Sequence, residues 1–154
     1  MTIINPAKSI ISAANLQKIF LKYDKIVFLA CNDISETLIM LNDFDIEAIA
    51  IDYDPKFKNV PYYINKDFVF DRDPEILNAV IGANLIVHKN IEKTYPVKIP
   101  KGVDVILIGD NDNHNGDCTP IESIEDIIKL YNVSKVYEKG CDDKETHFCV
   151  YGQI

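Results

Sequence analysis

Two unbroken apolar runs set the terms for this chain. Ile26-Val27-Phe28-Leu29-Ala30-Cys31 has no polar side chain in six positions, and Ala48-Ile49-Ala50-Ile51 repeats the pattern before closing on Asp52. A strand with one wet face alternates polar and apolar residues. An unbroken run marks a strand covered on both faces, the habit of parallel sheets sandwiched between helices. Helix signals fall between such runs. Asn5-Pro6 reads as a cap with proline at the first helical position, opening a helix from about Ala7 to Lys22 that carries Ile10, Ile11, Ala14 and Leu21. Ser35 is placed to cap a short helix holding Leu38, Ile39 and Leu41.

The rest of the chain keeps the alternation. A polar, proline-punctuated loop runs from Tyr53 to about Asn65, and Lys66 to Phe70 reads as a third strand. Asp73 and Pro74 open a helix with Ile76, Leu77, Val80 and Ile81 on one stripe, stopped at Gly82. Asn84 to Val87 and Val103 to Ile108 read as the fourth and fifth strands, the latter ending at Gly109. Thr119-Pro120-Ile121-Glu122 has the form of a capping box, before a helix with Ile121, Ile124, Ile127, Ile128 and Tyr131 on one face. Val133 to Tyr137 and Thr146 to Tyr151 close the chain as two strands in succession, joined by a polar loop around Gly140.

Strand-helix alternation with apolar strands predicts an α/β fold, a doubly wound, mostly parallel sheet. Two final strands without a helix between them predict an antiparallel hairpin at one edge. At 154 residues the chain has the length of one domain, with residues 1–24 as a helix packed on a body spanning 25–154.

Charge and cysteine usage limit the partners. Sixteen basic residues against 24 acidic ones give −8, and Arg72 is the sole arginine. No basic stripe is present for a nucleic-acid backbone or an anionic membrane, so direct nucleic-acid binding is not expected. No apolar run approaches the roughly 18 residues of a membrane span. No basic start leads into an apolar core and cleavage site, which reads as a cytoplasmic chain. Cys31, Cys118, Cys141 and Cys149 form no C-x-x-C pair, so reduced thiols are expected, with Cys31 and Cys149 in the core. Zinc held by Cys141, His147 and Cys149 is the alternative, since His147 and Cys149 fall on one face of a strand.

Doubly wound sheets take ligands outside the carboxyl ends of their strands, where the strand order reverses. The first such loop is Ala30-Cys31-Asn32-Asp33, running into a helix whose first amides are free donors. Asp52 closes the next strand, 21 residues after Cys31, where a short carboxylate can accept from both hydroxyls of a ribose. A strand-end turn shared with Asp54-Pro55 is the competing reading. Asp71 closes the predicted third strand and can reach an adenine amino group or share cap chemistry with Asp73. Tyr53, Tyr62 and Tyr63 can stack on a base or cover the sheet edge.

These residues, with the Asn84–His88 strand and the closing hairpin, resemble the class I S-adenosylmethionine-dependent methyltransferase fold from about Lys25 to Tyr151. Lys66-Asp67-Phe68-Val69-Phe70-Asp71 leading to Asp73-Pro74-Glu75-Ile76, and Gly82-Ala83-Asn84-Leu85-Ile86-Val87-His88 beyond it, are similar to a small archaeal family of methyltransferase-like proteins. The resemblance implies S-adenosylmethionine as cofactor. Ala30, Cys31, Asn32 and Asp33 would then lie at its methionine end, Asp52 and Tyr53 at the ribose and Asp71 at the adenine. It also implies that His88 and His114 face a small-molecule acceptor, with His88 suited by its titration range to act as a base.

One departure bears on all of this. The family's first loop runs E/D-x-G-x-G, whereas this chain has Phe28-Leu29-Ala30-Cys31-Asn32-Asp33, with no glycine. Glycine serves there because a Cβ crowds a closely approaching cofactor. Ala30 is small and asparagine tolerates positive φ, so Asn32 is a partial substitute.

Two other readings stay open. One is a degenerate Rossmann-like module that keeps the fold without cofactor and serves in interaction or regulation; on any of these readings a homodimer is compatible with the sequence. The other is a sensor built on the polar segment Asp110–Asp117. From Asn111 to Glu122 that segment has the spacing of a calcium loop, with asparagine replacing the usual first aspartate.

Overall fold

The computed structural model describes residues 13–30, 34–66, 74–94, 96–111 and 119–154. Among these residues, seven strands form one sheet in the order β3-β2-β1-β4-β5-β7-β6. They are β1 (Lys25–Leu29), β2 (Glu47–Asp52), β3 (Tyr63–Asn65), β4 (Leu85–Ile91), β5 (Asp104–Asp110), β6 (Lys135–Cys141) and β7 (His147–Gln153). β1 pairs in parallel with both β2 and β4, β2 with β3, and β4 with β5. β7 runs antiparallel between β5 and β6, so the closing hairpin inserts its second strand and leaves its first at the edge. The chain leaves β1 toward β2 and β3 and returns to β4 on the other side, which makes the β1/β4 boundary the point where strand order reverses.

Among the described residues, four α-helices cover the sheet: α1 (Ala13–Phe20), α2 (Ser35–Asn42), α3 (Pro74–Gly82) and α4 (Ile124–Tyr131). Alternation along each apolar strand splits the core in two. Ile26, Phe28, Leu85, Val87, Ile106 and Ile108 pack on the face covered by Leu16, Ile19 and Phe20 of α1 and Met40 of α2. Val27, Leu29, Ile86, Val105 and Leu107 pack on the opposite face with Ile76 and Val80 of α3 and Ile127 and Tyr131 of α4. Cys149 lies in the first layer, as expected of a small apolar residue. Gly152 is required where β7 pairs with β6, because a Cβ there would stand 2.2 Å from the Lys135 carbonyl oxygen.

Several local expectations are corrected. The third strand is Tyr63–Asn65, inside the predicted loop; of the expected Lys66–Phe70 strand, Lys66 is a bend and the rest lies outside the described residues. Ser35 begins α2 rather than capping it, and Ile34 at the cap supplies no side-chain hydrogen bond. In α3 the buried stripe is Ile76, Ala79 and Val80, while Leu77 and Ile81 are exposed. Leu21 is likewise exposed just beyond α1. α4 starts four residues later than the box predicts, with Ser123 rather than Thr119 as cap: Ser123 Oγ accepts from the Asp126 amide, and Asp126 Oδ2 accepts from the Glu122 amide. Gly140 lies within β6 rather than in a loop. The cap at Asp73 falls outside the described residues. Among the described residues, no helix is long and apolar enough to cross a membrane.

Candidate functional site

The carboxyl edge of the parallel strands is built around two residues with left-handed backbone. Ala30 follows β1 with φ 53°, and Asn90 lies near the end of β4 with φ 57°. Alanine rarely adopts this conformation, which costs roughly 1–2 kcal/mol for a residue with a Cβ. Residues held there gather at functional sites, where the surrounding structure imposes them. The surroundings here are explicit. The Ala30 amide still donates to the Ile51 carbonyl at 3.1 Å, continuing the β1–β2 ladder, while the Ala30 carbonyl accepts from Asn90 Nδ2 at 2.7 Å. β4 bulges at this level: His88 pairs with Leu107 and Ile91 with Gly109, so Lys89 and Asn90 together oppose Ile108 alone. A bulge re-aims side chains and steepens the local twist.

Lys89 is re-aimed into an ion pair. Its Nζ lies 2.7 Å from Glu36 Oε1 in the first turn of α2, with the side chains 13% and 6% exposed. Glu36 and Thr37 are buried, whereas Leu38, Ile39 and Leu41 are only partly so, because α2 turns its N-terminal polar face toward the sheet edge.

Asp52 ends β2 and is 2% exposed. Its Oδ1 accepts from the Asp54 amide at 3.4 Å, and its carbonyl accepts from the Lys66 amide at 3.0 Å and from Asn65 Nδ2 at 3.3 Å. Asn65 Nδ2 and Tyr63 Oη also donate to the Asp54 carbonyl, stitching the segment between β2 and β3 against the strand ends. Tyr63 is buried edge-on to Phe57, so its ring belongs to the core, while Tyr53 beside Asp52 is 72% exposed.

His88 is the fourth of seven residues in β4, not its last. It points to the face opposite Lys89, edge-on to Tyr131 at 6.1 Å. Burial pushes its imidazole down to about 4, against backbone hydrogen bonds at Leu29 and Lys89 that favour the charged form. The ring is neutral at neutral pH. Of the other expected site residues, Cys31, Asn32, Asp33, Asp71 and His114 lie outside the described residues, as does most of the calcium-like segment.

The hairpin end of β7 reaches this same edge, since His147 pairs with Asp110 at the end of β5. His147 Nδ1 lies 3.0 Å from Asp142 Oδ2, a contact that sequence reasoning missed. A histidine opening a strand five residues after an aspartate was the available signal. Cys149 is buried, its thiol pushed up to about 12 by burial, and Cys141 is exposed. Among the described residues no group of three His, Cys, Asp or Glu side chains could hold a metal ion, so Cys141, His147 and Cys149 do not form the alternative zinc site.

Strand order, parallel core and antiparallel closing hairpin define a Rossmann-like α/β architecture of methyltransferase type. Among solved structures, the chain is similar in fold to fibrillarin in the crystal structure of a fibrillarin/Nop5p complex. The TM-score is 0.54 at 14% sequence identity, covering 84% of this chain and 72% of that one. No family model matches the sequence, and no curated protein matches it.

Proposed function

We propose that this chain binds S-adenosylmethionine at the carboxyl edge of β1, β2 and β4 and transfers its methyl group to a small-molecule acceptor. The observation that carries the reading is the facing pair Ala30 and Asn90. Their left-handed backbones, clamped by one hydrogen bond at the strand-order reversal, supply the turn for which this architecture ordinarily needs glycine. Ala30 would lie against the methionine end, with Asp52 and Tyr53 toward the ribose. The roles expected of Cys31, Asn32, Asp33 and Asp71 belong to the same proposal. The bound donor supplies an electrophilic methyl group on a sulfonium. The protein's part is to orient it, since aligned reactants need little further chemistry. The likeness to fibrillarin supports the fold on which this reading stands. The net charge of −8 favours a small acceptor over a nucleic-acid backbone.

Calorimetric titration with S-adenosylhomocysteine tests the reading. Binding that weakens at least tenfold in Asp52→Asn is the expected result; no heat and no thermal shift at millimolar ligand overturns it. The second reading, a module that keeps the fold without the cofactor, is favoured by the closure of Asp52 at 2% exposure. It predicts that null result.

A further inference from the structure

We infer that His147, oriented by Asp142, is the base that takes the proton from a hydroxyl acceptor; this rests on the methyl-transfer reading above. Asp142 is held by four contacts. Its Oδ1 accepts from the amides of Thr146 at 2.7 Å and His147 at 3.1 Å, and its Oδ2 accepts from Thr146 Oγ1 at 2.6 Å and faces His147 Nδ1 at 3.0 Å. A carboxylate so fixed selects the Nδ1–H tautomer of the imidazole, which leaves Nε2 to accept a proton. The Asp142 side chain is 16% exposed and that of His147 35%, so the pair is anchored on one side and reachable on the other.

The fold brings this pair to the edge where the donor is proposed to lie. The Asn111 amide donates to the Thr146 carbonyl at 3.0 Å, tying the hairpin loop to the end of β5. Alternation puts His147 on the sheet face of Cys149 and Tyr151, and Lys89 on that of Leu85 and Val87, which is the same face. β7 stands two strands from β4, a lateral separation of about 10 Å at the same carboxyl edge. His88, by contrast, faces the other layer and is sealed under Tyr131.

A hydroxyl is the acceptor class that such a pair fits. A neutral amine attacks without first losing a proton, and a thiol ionises readily by itself, but an alcohol oxygen gains nucleophilicity as a placed base removes its proton. His147 Nε2 takes the O–H proton as the oxygen gains the methyl group; the carbon–sulfur electron pair stays on sulfur as a neutral thioether. The imidazolium, balanced by Asp142, then releases its proton to water.

Two measurements on the full chain test this. Long-range imidazole proton–nitrogen NMR at alkaline pH should show His147 as the Nδ1–H tautomer, with a tautomer mixture in Asp142→Asn. An Nε2–H tautomer in the unmodified protein overturns the assignment. Transfer of labelled methyl from S-adenosylmethionine to a phenol, a polyol or a hydroxy acid should yield a methyl ether. His147→Ala should then lower kcat about 100-fold or more with KM within about threefold, partly restored by added imidazole, and with S-adenosylhomocysteine affinity unchanged. Full turnover in His147→Ala, or a protein that binds S-adenosylhomocysteine yet labels none of the three, overturns the base. Absence of S-adenosylhomocysteine binding overturns the parent reading instead.

Discussion

Lys89 and Glu36 form an ion pair of 2.7 Å that ties β4 to the first turn of α2 across the strand-order reversal, with both side chains largely withdrawn from water. Removing one partner strands the other charge where it is poorly solvated. Lys89→Met is therefore expected to cost about 3–5 kcal/mol, and the double variant Lys89→Met with Glu36→Leu much less than the two single changes summed. Urea denaturation of all three checks this; additive losses refute the coupling.

The positive φ at Ala30 gives a stability prediction with opposite signs for two substitutions. Ala30→Gly removes the Cβ strain and should raise stability by about 1 kcal/mol, net of the added freedom of the unfolded chain. Ala30→Val should lower it by 2 kcal/mol or more, since a β-branched residue fits this backbone poorly. Thermal melting of the two variants separates them, and a destabilising glycine would show that the backbone strain is not what it costs to hold this turn.

His88 sets an acid limit. Its folded value near 4 lies below its ordinary 6.5, so the unfolded chain binds its proton first as pH falls. Stability should therefore be flat above pH 6.5 and decline between 6.5 and 4 by about 3 kcal/mol in all. In His88→Gln that slope should vanish whatever the variant's absolute stability. Asp142, held well below its ordinary 3.8 chiefly by Thr146 Oγ1, contributes stability above that value and loses it at lower pH, so it leaves most of the histidine window untouched. Denaturant titrations at pH 7, 5.5 and 4.5 measure the slope; an unchanged slope in the variant would assign it elsewhere.

At the opposite end of the sheet, Tyr23 Oη donates to Asp104 Oδ2 at 2.6 Å and lies 2.7 Å from Tyr151 Oη. Tyr137 Oη and Gln153 Nε2 approach the other oxygen of the same carboxylate. Burial and these bonds push the Tyr23 hydroxyl far above its usual range. Tyr23→Phe is expected to cost about 1–2 kcal/mol. It should also speed amide hydrogen exchange in α1 more than in β4. Uniform exchange across the two elements would contradict a latch at this point.

The sheet was legible because buried parallel strands carry an unmistakable signature. Ile26–Leu29, Ala48–Ile51 and Val105–Ile108 could hardly be anything else, and the two closing runs without a helix between them required a hairpin. The helix faces were less so. In a nine-residue helix with Ile76, Leu77, Val80 and Ile81, hydrophobicity alone does not say which pair meets the sheet; the small Ala79 and Ala83 decide it, by letting the helix come close. β3 has three residues and an ion-pairing lysine just after it, too short for periodicity to register. At the edge, Asp52 could be singled out because position alone suggests it. Glu36, Asn90 and Asp142 could not, since each owes its place to a contact with a residue far away in the chain or to a turn whose geometry composition does not encode.

The irregular step in β4 has a wider consequence. By inserting one surplus residue in β4 and gripping the Ala30 carbonyl with the Asn90 amide, this scaffold makes a sharp corner from main-chain geometry and a neighbour's grip, without an unsubstituted Cα. The requirement has moved from the identity of one amino acid to an agreement between two strands. Patterns keyed to glycine pass over such proteins, and pairs such as Ala30 with Asn90 are where to look for them.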